Sequence, residues 1–138
     1  MDWYTTNRLE ARLRKNSKAD LAPYRDYYVT KCLKLANYWD ETARGLGYVD
    51  FPHLTLMHHN VLNAMFLKDL LLAFKADGWQ FVDAADALSY APYHAIPPEP
   101  THGRSWLTLK SAEAGLPNLP FPEEYRGFGA KTMDALGL

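Results

Sequence analysis

The chain has only five histidines, and two of them, His58 and His59, stand side by side at the end of the stretch HLTLMHHN. Imidazole changes charge near neutral pH and is a common ligand for zinc-type metals, so proton transfer and metal binding are the chemistries open to such a pair. Adjacent side chains diverge where a strand turns into a loop, so one could face a pocket while the other braces it. The competing reading is a polar cap over a buried core. Asp83 ends the next apolar run, WQFVD, and could bring a carboxylate to the same place.

The elements that must position these groups can be read from periodicity. HLTLM alternates, with Leu54 and Leu56 on one side and Thr55 and Met57 on the other, which predicts a short strand. Asn60 is placed to cap a helix over Val61 to about Asp77, stopped by Gly78. WQFVD predicts a second strand, and AADAL starts a short helix after it. Upstream, Thr5 or Thr6 could cap a helix through about Lys15. A long helix over about Leu21 to Leu46 carries Tyr24, Tyr28, Leu35, Trp39, Ala43 and Leu46 as one apolar stripe, which reads as core. Downstream, Ser105 caps a predicted helix over Trp106 to Ala114, and a short helix is expected around Ala130 to Leu136. The order is that of a βαβ unit with extra helices, and sites in such units gather at the carboxyl ends of strands. Two parallel strands leave two bare edges, which favours a homodimer that completes the sheet.

Composition narrows the function. At 138 residues the expectation is one domain spanning 1–138, long enough to bury roughly 70% of its unfolded surface. A formal net charge of -1 gives no basis for nucleic acid or an anionic membrane as partner. The basic run RLEARLRKNSK reads as a solvated helix face. Cys32 is the only cysteine, so no internal disulfide forms, and its helical setting suggests a buried apolar residue. The opening MDWYTTNRLE shows no apolar signal region, and the expected location is cytoplasmic. Neither a serine-hydrolase elbow nor a phosphate loop occurs.

The segment HLTLMHHNVLNAMFLKDLLLAFKADGWQFVDAADAL resembles the end of the catalytic domain of polysaccharide deacetylases, the family of chitin and peptidoglycan deacetylases. Leu54, Leu56 and His58 match a late Leu-x-Leu-x-His motif in order. The opening DWY resembles the preceding Asp-Trp motif on Asp2 and Trp3, and PPEPTHGRSWLTLKSAEAGL resembles a C-terminal extension. Nothing here matches the family's earlier Asp-Asp pair, His-x-x-x-His pair or arginine loop. The resemblance implies a metal-dependent hydrolase of α/β architecture: half of a distorted (β/α) barrel, with two main parallel strands and flanking helices, which the bare edges would have a second copy complete. It implies His58 as the general acid, Trp3 and Leu56 as the lining of a small acyl pocket, and Asp2 as part of the charge network.

With the early motifs absent, paired copies would have to gather His58, His59, Asp2 and Asp83 around a divalent metal such as zinc. Metal-bound hydroxide could then attack an activated ester, amide or phosphoester in a small-molecule substrate. His94 and His102 lie on proline-rich loops and could join from above. The alternatives are a complementing half of a split deacetylase and a non-catalytic binding module.

Overall fold

The computed structural model describes residues 2–95, 105–116, 127 and 129–138. It is helical. The elements are α1 (Asp2–Lys15), α2 (Ala22–Gly45), α3 (Val61–Ala76), α4 (Ala84–Leu88), a 3-10 turn (Ala91–His94), α5 (Trp106–Glu113) and α6 (Ala130–Ala135).

No strand occurs among the described residues, which overturns the expected half-barrel, its two parallel strands and its completion as one sheet. A strand needs a ladder, and alternation of side chains does not supply one. At His58 the backbone groups a ladder would use are already taken. Its N–H donates to Asp2 Oδ2 at 3.0 Å and its carbonyl accepts from Asn63 Nδ2 at 2.8 Å. The apolar residues of both runs stay exposed: Leu54 at 52%, Leu56 at 82%, Phe81 at 51% and Val82 at 63%. The second run ends as a cap, with Asp83 accepting from the Ala85 N–H at 2.8 Å at the start of α4.

The helices follow their local signals closely. Asn60 caps α3, its side-chain oxygen accepting from the Asn63 N–H at 2.9 Å. The helix ends where Gly78 takes φ +95°, a conformation that a Cβ disfavours. Trp79 N–H then reaches back to Phe74 O at 3.0 Å and Gly78 N–H to Lys75 O at 3.2 Å, satisfying two end carbonyls. The Trp79 and Phe74 rings seal that turn edge to face at 5.7 Å. Ser105 caps α5 as expected, through the Thr108 N–H. By contrast, α1 starts at Asp2, earlier than the threonines suggest, and Thr5 and Thr6 are buried inside it.

Chain contacts divide the protein into two compact units. One comprises 1–34, 56–80 and 121–138 in its described residues, the other 35–55 and 81–120. In the first unit α1 packs on α3. Its buried residues include Leu9, Tyr24, Tyr28, Leu62, Leu70, Phe74 and Met133. Thr5 Oγ1 lies 3.9 Å from Met133 Sδ, and Arg8 reaches the Leu138 carbonyl at 2.6 Å and the Asp134 carboxylate at 2.7 Å. The second unit is built on Phe51. That ring lies 5.0 to 5.9 Å from those of Tyr48, His53, Tyr90, Tyr93 and Trp106. Ala43 and Leu107 close the cluster.

Candidate functional site

The first unit holds a carboxylate whose surroundings are almost wholly polar. Asp2 is the first residue of α1 and is 8% exposed. Its Oδ1 accepts from the Trp3 N–H at 3.0 Å and faces His58 Nδ1 at 2.7 Å. Its Oδ2 accepts from the His58 N–H at 3.0 Å, Asn60 Nδ2 at 3.0 Å and Asn63 Nδ2 at 2.8 Å. Burial alone would raise the Asp2 carboxyl. The His58 amide, the His58 ring and the Asn63 amide outweigh it and hold the pKa down at about 2 rather than 3.8. Asp2 is therefore an anion at any physiological pH. Its position in the first turn of α1 adds a favourable dipole contribution.

An ionised carboxylate at 2.7 Å from Nδ1 can only accept a hydrogen bond, so Nδ1 bears the proton it accepts, and in the neutral ring Nε2 carries the lone pair. The His58 side chain is 48% exposed while that of Asp2 is 6% exposed. One partner is sealed into the protein and the other is presented to solvent. A buried anion behind an exposed imidazole fixes the orientation of the ring, which is the arrangement a general acid–base needs.

The other residues singled out from sequence, His102 apart, have definite places. Trp3 is 43% exposed and packs edge to face on Tyr4 at 6.0 Å. Leu56 is exposed two residues before His58. His59 is exposed, and so is His94 in the 3-10 turn. Asp83 belongs to the second unit, where it caps α4, while Asp2, His58 and His59 belong to the first. His102 lies outside the described residues. Burial pushes the Cys32 thiol up to about 12, which makes it a poor nucleophile.

Comparison with protein-family models, curated proteins and solved structures finds no match. The deacetylase resemblance thus rests on the quoted motifs alone.

The same geometry bears on the metal. Both Asp2 oxygens are engaged by hydrogen-bond donors, so this carboxylate acts behind His58. No three His, Cys, Asp or Glu side chains converge as a metal site among the described residues. Of the expected metal set, His58 Nε2 and the exposed His59 ring are left as candidate ligands.

Sequence reading missed Asn63 as a site residue and assigned Asn60 only a capping role. A signal was available: Asn63 interrupts the apolar run VLNAMFL one helical turn after Asn60. A second Asp–His pair was also not anticipated. His53 Nε2 lies 3.4 Å from Asp40 Oδ1 in the second unit, with its side chain only 15% exposed. Burial lowers the His53 pKa against the opposing pull of Asp40, and the ring packs edge to face on Phe51 at 5.0 Å. That histidine is part of a core.

Proposed function

We propose that the protein is a hydrolase in which His58 is the general acid–base and Asp2 its positioning anion. The substrate class is a small activated ester or amide. The observation that carries this reading is the 2.7 Å contact between an ionised, buried Asp2 and the Nδ1 of a half-exposed His58.

In the first step Nε2 takes a proton from water as the water oxygen bonds to the carbonyl carbon. The resulting imidazolium is stabilised by Asp2, whose carboxylate stays ionised. In the second step the C–O or C–N bond to the leaving group breaks, and Nε2 returns the proton to the departing oxygen or nitrogen. Trp3 and Leu56, both exposed near the pair in sequence, are the candidates for apolar contact with the acyl group. A divalent metal would add Lewis-acid polarisation of the carbonyl.

The test is saturable turnover of p-nitrophenyl acetate by purified protein. A second-order rate constant exceeding that of free imidazole at the same pH by about 100-fold is expected from oriented acid–base catalysis. A rate no greater than that of imidazole contradicts the reading.

Partnership with a second copy is a separate reading. It is favoured by the exposure of Leu54, Leu56, Phe81 and Val82. Mass in solution tests it: a monomer at all concentrations would remove it.

A further inference from the structure

We propose that Tyr28 and Asn63 are positioning residues for His58: a buried relay from the Tyr28 hydroxyl through the Asn63 amide to Asp2 holds the imidazole in the Nδ1–H tautomer. The relay rests on the hydrolytic reading only for its effect on rate. Its effect on the tautomer is independent of any activity.

Three helices supply its members: Tyr28 on α2, Asn63 on α3 and Asp2 on α1. Tyr28 is 2% exposed and Asn63 8% exposed. The Tyr28 hydroxyl donates to Asn63 Oδ1. Asn63 Nδ2 donates to Asp2 Oδ2 at 2.8 Å and to the His58 carbonyl at 2.8 Å. The Asn63 amide therefore grips both the carboxylate and the backbone of the histidine that the carboxylate orients.

Orientation of that amide is decided by its neighbours. Turned by 180°, Oδ1 would face a carboxylate oxygen and a carbonyl oxygen, with no proton to share. The Tyr28 phenol reinforces the productive orientation, because it offers a donor where Oδ1 needs one. Burial raises the Tyr28 pKa, so the phenol keeps its proton.

Helix capping does not account for Asn63. Asn60 already caps α3, through the backbone N–H of Asn63. The side-chain amide of Asn63 is left for Asp2 and His58. Buried polar chains are costly unless their members are paired, and this one is paired from Tyr28 to His58.

The test is a two-bond proton–nitrogen correlation spectrum of the His58 ring at pH 8 in uniformly nitrogen-15-labelled protein. Wild type is expected to show a protonated Nδ1 and a pyridine-type Nε2. Tyr28→Phe removes one hydroxyl and keeps the ring, and Asn63→Leu removes the amide. Both should shift His58 toward a mixture of tautomers. Asn63→Leu should also lower kcat on the ester by about 10-fold with little change in KM, the loss expected for hydrogen bonds to a charged group.

Folded variants with the wild-type tautomer would overturn the relay. If Asn63→Leu does not fold, the tautomer of Tyr28→Phe decides alone. A tautomer shift in a protein that never turns over ester supports the relay and removes the hydrolytic reading. Turnover with an unmoved tautomer in the variants does the reverse.

Discussion

Asp2 and His58 are 56 positions apart in the chain, yet Oδ1 of one and Nδ1 of the other lie 2.7 Å apart. Two helix starts produce this contact. Asp2 opens α1, and His58 lies two residues before Asn60, the cap of α3. Asn60 joins them, using Oδ1 to cap α3 and Nδ2 to bind Asp2. The pair is therefore fixed by backbone geometry at two element ends, which is more rigid than a contact between two loops.

Replacing the anion should disable the pair and leave the fold. Asp2→Asn keeps the shape but offers an amide where the ring needs an anion, so the Nδ1–H tautomer loses its partner. Turnover of an activated ester should fall by about 100-fold, within the usual range for acid–base catalysis. Steady-state kinetics check this, with circular dichroism to confirm the helices. An undiminished rate would mean that Asp2 is purely structural.

Acid stability follows from the same carboxylate. Its folded pKa of about 2 lies below the ordinary 3.8. The group thus contributes stability that is complete above about pH 4 and is lost as pH falls through about 2. The contribution is on the order of 2 kcal/mol. Urea denaturation between pH 2 and 6 should show this dependence in wild type and a flatter curve in Asp2→Asn.

The second unit should depend on Phe51 more than on any other ring. It is 6% exposed and lies among five aromatic neighbours, with Trp106 stacked at 5.5 Å and 27°. Phe51→Ala is expected to cost about 3–5 kcal/mol in chemical denaturation. A loss below about 1 kcal/mol would mean that the cluster is loosely packed.

Gly129 is a backbone requirement at the start of α6. Its φ is +80°, and an added Cβ would fall 2.1 Å from the Tyr27 hydroxyl and 2.9 Å from Lys31 Nζ. Gly129→Ala should lower stability by about 1–3 kcal/mol, since both strain and a clash oppose it. Thermal denaturation measures this directly.

Helices were legible in the sequence because their signals are local. Asn60 and Gly78 bracket α3, Ser105 opens α5, and the stripe through Tyr28 and Leu35 predicts α2 to within a residue or two. The strands were misread because a strand is a pairing, and alternation at Leu54 and Leu56 says nothing about whether a partner exists. His58 was legible as a candidate from its doublet, and Asp2 only through a motif resemblance. Their meeting was not legible, nor was the part played by Asn63, because both depend on α1 packing against α3. The common strand end expected to gather His59 and Asp83 has no counterpart, because no strand occurs among the described residues.

Substituting the two neighbouring histidines separately is the most direct test of whether one imidazole does the chemistry. The measurement is kcat/KM for p-nitrophenyl acetate in wild type, His58→Ala and His59→Ala, with the helical signal as the check on folding. His58→Ala should fall to the level of free imidazole, while His59→Ala, which removes an exposed ring outside the Asp2 network, should stay within about twofold of wild type. Equal rates in wild type and His58→Ala, or a loss confined to His59→Ala, would contradict the assignment.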